Sequence, residues 1–230
     1  MIIAGIAIIF AGLYWFLIIR TQTPEIVEEI PTPTPTQTST PPPSAFDKLG
    51  SIEEITIPST SVFSSSLTSE MSTRQPVTGQ IRLYSIVDEN QQKYSFKDFL
   101  IKLNIDTSLL NSEILDTEEW TLGVYGQLGA SQNTSMRPFI VLVQNDSTST
   151  TSLMNIWEPK LITDLSSLFN LTDISTNLSF TPDIYSNINF RFIRIPDRDL
   201  GVAYAVFQNY LVFASSRDSF RAIIDALTTL

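Results

Sequence analysis

The first nineteen residues, Met1 to Ile19, contain no charged side chain, and Arg20 closes the run. No other stretch constrains the chain as much, because a segment this apolar has to leave water. Nineteen residues in a helix rise about 28 Å, close to the ~30 Å hydrocarbon core of a bilayer. Seven Ile, two Leu and two Phe between Ile2 and Ile19 favour insertion by about 3–7 kcal/mol. Tyr14 and Trp15 suit a headgroup belt, and Arg20 can reach headgroups with its long stem. A cleaved signal peptide is the competing reading, but Thr21-Gln22-Thr23 offers no small-residue cleavage site. A helix apolar all round needs burial on every side, which a membrane span gives more readily than the core of a domain this small. Residues 1–20 are therefore expected to be an uncleaved transmembrane anchor that meets the bilayer through residues 2–19.

Orientation rests on the flanks. The nearest basic residue, Arg20, follows the span, whereas the positive-inside rule looks for Lys or Arg on the cytoplasmic side. That points to a true start upstream of Met1. Glu25, Glu28 and Glu29 after the span, with the stalk-like composition beyond, place the C-terminal bulk outside the cytoplasm. Residues 21–45 carry seven of the 13 prolines, interleaved with Thr, Ser and Gln. Such a segment buries no core and favours extended polyproline II, reaching roughly 75 Å when stretched. It reads as a spacer.

The remaining residues, 46–230, are enough for one domain with a real core. Fourteen basic against 24 acidic residues give a formal charge of −10, which argues against nucleic acid and against a polybasic lipid-binding surface. The chain has no Cys and no His. Disulfides, thiolate nucleophiles, Ser-His-Asp triads and His- or Cys-ligated metals are thereby excluded.

The hydrophobic pattern predicts strands at 51–57, 80–87, 120–127, 137–144 and 187–195, with a closing hairpin of 202–207 and 210–215 about Gln208-Asn209. Phe139 to Val143 is apolar throughout, as in a strand covered on both faces. Helices are expected at 59–73, at 95–105 behind a Ser95 cap to which Asp98 can reach back as in a capping box, with Tyr94 and Phe99 as a staple, and in a long stretch that follows a polar lead-in at Asn145 to Thr151 and ends near Asn170. In the long helix Leu153, Ile156, Trp157, Leu161, Leu165 and Leu168 keep phase across Pro159, so one bent helix is favoured over two. A last helix follows Ser215 or Ser216, with Phe220, Ile223, Ile224 and Leu227 inward. Small Ala203 and Ala205 would let a helix approach closely. The matching spacing of Phe96-Phe99-Leu100-Leu103 and Phe220-Ile223-Ile224-Leu227 hints at a duplicated strand–helix unit. The fold class is α+β: a mixed, largely antiparallel sheet with three to four covering helices.

The run Trp157-Glu158-Pro159-Lys160 to Leu168-Phe169, after Pro138-Phe139-Ile140-Val141, and the closing Tyr210-Leu211-Val212-Phe213-Ala214-Ser215-Ser216 carry a likeness. On them the chain resembles uncharacterised single-span, Thr/Pro-linked envelope proteins of candidate-phyla bacteria. The resemblance implies an anchor, a stalk and an exported α+β domain, and carries over no catalytic residue.

Site-like groupings are few. Asp197 and Asp199 in Pro196-Asp197-Arg198-Asp199 lack the rest of a Ca²⁺ loop and read as a turn. Asp116, Glu118 and Glu119 lack an identifiable partner carboxylate at glycosidase separation. Gly123, Gly126 and Gly129 are not followed by a phosphate-binding Lys-Ser/Thr and suggest close packing or a bulge. Arg191, Arg194, Arg198, Arg217 and Arg221 interleave with Asp197, Asp199, Asp218 and Asp225 as surface ion pairs. Asn133, Asn145, Asn170 and Asn177 head sequons that matter only in a glycosylating pathway, and Ala7 and Ala11 form a small-xxx-small pair in the anchor. No catalytic, cofactor or metal residue is expected. The function expected is a non-catalytic, membrane-tethered extracytoplasmic binding or envelope-assembly module, with an unidentified envelope protein or polymer as partner. The alternative is a carboxylate-dependent hydrolase acting on a cell-envelope substrate, which two carboxyls facing one cleft would support.

Overall fold

Alternating apolar strands and amphipathic helices leave each element one or two faces to bury, and the chain solves this with a single sheet covered on both sides. The computed structural model describes residues 44–110, 112–129, 134–171, 178–195 and 200–229. The proposed anchor and residues 21–43 of the spacer lie outside them. Among the described residues no helix is long and apolar enough to cross a membrane. Ser44 and Ala45, at the end of the spacer, already engage the fold: the Ser44 hydroxyl accepts from the Phe46 amide (3.2 Å), and the Ala45 carbonyl accepts from Tyr210 Oη (3.1 Å).

The described residues build eight strands: β1 (Ile52–Thr56), β2 (Ile81–Val87), β3 (Trp120–Leu128), β4 (Thr134–Val143), β5 (Thr181–Tyr185), β6 (Ile188–Arg194), β7 (Gly201–Phe207) and β8 (Tyr210–Ala214). Their order across the sheet is β1-β2-β3-β4-β8-β7-β6-β5. β1 and β2 pair in parallel and every other neighbouring pair is antiparallel, so the sheet is mixed and largely antiparallel. The helices are α1 (Phe63–Thr73), α2 (Phe96–Lys102), the single turn α3 (Ser112–Leu115), α4 (Ser147–Phe169) and α5 (Arg217–Thr228), with a 3-10 turn at Thr107–Leu109.

α1 to α4 cover one face, burying Leu67, Phe99, Ile114, Trp157 and Leu165 against Tyr84, Leu122, Ile140, Tyr204 and Phe213 of the sheet. α5 covers the other, with Phe220, Ile223, Ile224 and Leu227 against Ala203, Ala205, Val212 and Ala214. The small alanines do admit a helix closely. The large residues on the opposite side of the same hairpin, Tyr204 and Phe213, are covered by α4, whose Trp157 meets Phe213 edge-on at 5.5 Å. The apolar faces of α2 and α5 therefore serve opposite sides of the sheet, and their shared spacing is that of any amphipathic helix with a three-residue-wide stripe.

Some expectations hold and others need correction. Of the two serines that could cap α5, Ser216 does so: its hydroxyl accepts from the Ser219 amide (3.0 Å), and Ser219 Oγ accepts from the Ser216 amide (3.2 Å). Ser95 caps α2 as expected, but Asp98 reaches back to the Ser95 hydroxyl (2.6 Å) instead of its amide. Tyr94 and Phe99 are bridged by the Phe63 ring, which stands edge-on to both at 5.4 and 5.9 Å. α4 begins earlier than its polar lead-in suggests, because Asp146 caps it by accepting from the Thr148 amide (2.9 Å). Pro159 stays within one helix, as its unbroken phase implied. Ile156, assigned to the buried stripe, is 59% exposed, and Met154 and Phe169 are buried instead.

β5 was not anticipated, since Pro182 and Asp183 lower strand propensity. The edge position tolerates them. A two-residue turn at Ser186-Asn187, both with positive φ (46° and 66°), joins β5 to β6 and puts Tyr185 opposite Ile188. The ladder then turns the backbone groups of Pro182 and Ile184 outward. Pro182 has no N–H, and the Ile184 N–H is taken by Asp183 Oδ1 at 2.8 Å. The β5 edge offers an incoming strand no free donor within these residues, a common protection of sheet edges.

Candidate functional site

α4 packs over β4 and β7, and on the same face Pro182 and Ile184 of β5 and Asn189 of β6 stay exposed. The step between α4 and these residues is an open cleft of about 780 Å3. That lies in the range that holds small ligands. Side-chain alternation puts Pro182 and Ile184 of β5, Asn189 and Arg191 of β6, and Tyr204 and Val206 of β7 on its floor. Thr151, Met154 and Asn155 of α4 form the wall.

One end of the cleft is closed by a polar cluster. Glu158 of α4 accepts a two-pronged pair from Arg191: Nε bonds Oε2, and Nη2 bonds Oε1 at 2.8 Å. Tyr204 Oη also donates to Glu158 Oε2, and Arg191 Nη2 donates to the Phe180 carbonyl at 3.3 Å. Arg191 and Tyr204 are direct neighbours across β6 and β7, so the sheet register delivers both donors to one carboxylate. Burial pushes the Glu158 pKa up, but the bonds from Arg191 and Tyr204 outweigh it and hold the carboxyl below its ordinary value. Burial first, and the Glu158 bond second, push the Tyr204 phenol well above its ordinary value. The bond to Glu158 raises the pKa of Arg191. All three groups are thus fixed in their neutral-pH states, which suits a structural clamp and not an acid or base poised to exchange protons.

The floor is held from the opposite face by α5. Arg217 pairs with Asp183 and lies over the Phe190 and Phe192 rings at 5.9 and 5.8 Å. Arg221 lies over Tyr185 at 5.3 Å, and Tyr185 Oη donates to Asp225 at 2.8 Å. Asp183 therefore borders the cleft but turns its carboxylate away from it. Glu158 and Asp183 do not form a catalytic carboxylate pair on one face.

The other residues singled out by sequence are scattered. Asp197, Arg198 and Asp199 lie outside the described residues, as do Asn133, Asn177, Ala7 and Ala11. Asp116, Glu118 and Glu119 border a shallow depression of about 400 Å3 before β3. There Lys93 Nζ donates to the carbonyls of Glu118 (3.4 Å) and Trp120 (3.1 Å), and burial lowers its pKa against the opposing charge of Glu119. Among the described residues no three Asp or Glu side chains gather at metal-binding distance. Gly123 and Gly126 mark close packing as expected: a Cβ on Gly126 would stand 2.1 Å from the Val77 carbonyl oxygen. Asn170 takes the left-handed conformation that ends α4, φ 53°, and Asn145 lies just before the α4 cap. Of the arginines, Arg221 pairs with Asp218 as interleaving implied (3.9 Å), whereas Arg191 and Arg217 pair with Glu158 and Asp183, which are distant in sequence.

Sequence reading missed the Glu158–Arg191–Tyr204 cluster. Its signal was a charged residue on an inward position, since Arg191 shares a strand face with Ile193 and Ile195. Comparison of the chain with family models, curated proteins and solved structures gives no match. Fold and site together define an α+β domain on a mixed sheet, with a ligand-sized cleft beside its longest described helix.

Proposed function

We propose that the protein is a membrane-tethered extracytoplasmic module that binds a partner in the cell envelope and performs no catalysis. The observation that carries the binding reading is the cleft between α4 and β5–β7, open to solvent and walled by a clamped polar cluster. The clamp holds Glu158 ionised and bonded to Arg191 and Tyr204, which speaks against the hydrolase alternative. The apolar run 1–19 and the Pro/Thr spacer 21–45 support the tether, and the resemblance to Thr/Pro-linked envelope proteins points the same way. Two experiments test the two halves. Protease added to intact spheroplasts should remove residues 46–230, and full protection of them would overturn the location. A photocrosslinking residue at Ile184, exposed on the cleft floor, should capture an envelope component in intact cells, and Asn155→Trp should suppress that capture. Equal capture from Ile101 on α2, with none suppressed by Asn155→Trp, would remove the cleft from consideration.

A further inference from the structure

We propose that the cleft takes an extended, uncharged peptide segment laid over β5–β7 alongside α4. This rests on the binding reading above and adds the chemistry of the ligand. Charge decides the first point. Arg191 commits Nε and Nη2 to Glu158, and Asp183 faces Arg217 on the other side of the sheet. What the cleft presents is neutral: the carboxamides of Asn155 and Asn189, beside Ile184 and Val206. A charged ligand group would lose hydration there without meeting an opposite charge.

Hydrogen-bond complementarity decides the second point. A carboxamide offers both donors and an acceptor, as a peptide group needs. A sugar's apolar ring face would gain most from a bare aromatic to stack on, and the cleft's aromatics, Tyr204 and Phe190, are 4% and 2% exposed. Strand addition along β5 is blocked by Pro182 and by the Asp183 bond to the Ile184 amide. The peptide therefore lies over the face and bonds to side-chain amides instead of extending the ladder.

The test uses the full chain in lipid nanodiscs, with ¹⁵N-labelled Asn amides and ¹³C-labelled Ile methyls followed by NMR. Three probes are titrated: a pool of acetylated, amidated hexapeptides drawn from Ala, Val, Thr, Ser, Pro, Asn and Gln; the same pool with Lys or Glu at alternate positions; and a chitin hexamer. The neutral pool should shift Asn155, Asn189 and Ile184, and the charged pool should bind at least about ten-fold more weakly. Asn155→Leu and Asn189→Leu, both at exposed positions, should each weaken the neutral pool about three- to ten-fold, the size of one lost hydrogen bond. Their melting temperatures should not change. Stronger shifts from the charged pool or the glycan would overturn the peptide assignment while keeping a binding cleft. No shift from any probe up to millimolar concentration would overturn both.

Discussion

Gly123 on β3 faces Phe139 on β4 so closely that a Cβ on Gly123 would stand 2.1 Å from the Cζ of the Phe139 ring. The ring is fully buried on the α5 face, so it can yield only by displacing its packed neighbours. Gly123→Ala is expected to cost about 1–3 kcal/mol, the usual penalty of overpacking. A denaturant titration measures it, and adding Phe139→Leu should recover part of the loss. A neutral Gly123→Ala would show that the ring moves freely.

Truncation after Ser215 should unfold or aggregate the domain. α5 brings four buried apolar residues, Phe220, Ile223, Ile224 and Leu227, onto the small-residue face of β7 and β8. At about 1.5–3 kcal/mol each, they amount to roughly 6–12 kcal/mol, comparable with the ~5–15 kcal/mol that holds a typical domain. Ile224→Asp should have nearly the same effect. A monomeric truncated form with a sharp, near-native melting transition would make α5 peripheral.

The caps separate two adjacent serines. Ser216→Ala removes the α5 cap and the 2.6 Å bond that Ser216 Oγ gives to Gln127 Oε1. It should destabilise by about 1–2 kcal/mol. Ser215 is equally buried, but its hydroxyl has no partner among the described residues. Ser215→Ala should stay within about 0.5 kcal/mol, in line with a position that carries no such interaction. Equal losses at the two positions in thermal melts would contradict this ordering.

The clamp sets opposite pH trends. The Tyr204 pKa is raised above its ordinary value of 10.0. Its contribution is complete below that value and is lost as pH rises through the folded pKa, because only the native state then holds the proton. Tyr204→Phe should reduce the fall in stability above pH 10 relative to the parent chain. The Glu158 pKa is lowered below its ordinary 4.5. Its contribution is present above that value and lost as pH falls through the folded pKa. Glu158→Gln should flatten the acid limb. Denaturation midpoints for the three proteins at pH 3 to 11 check both signs.

Chelation should leave the melting temperature unchanged, given a chain without Cys or His and no acidic triad among the described residues. A marked drop in EDTA would point to an oxygen-ligand site at Asp197 and Asp199.

Elements whose local signals agree were legible from the chain alone. Ser95 and Asp98 announced α2, the stripe Phe220-Ile223-Ile224-Leu227 announced α5, and the doubly apolar run Phe139 to Val143 announced a strand buried on both faces. Sequence also set what chemistry is excluded, since a chain without Cys or His lacks those ligands and nucleophiles in any fold. Only the tertiary structure decided that α2 and α5 cover opposite faces, that Pro182 sits in an edge strand, and that Glu158 meets Arg191 and Tyr204. The reason is physical. Helical phase and strand alternation are properties of neighbours along the chain, and they survive any fold that buries the stripe. Strand order and register join residues 33 and 46 positions apart, and that pairing is settled by how the whole sheet packs.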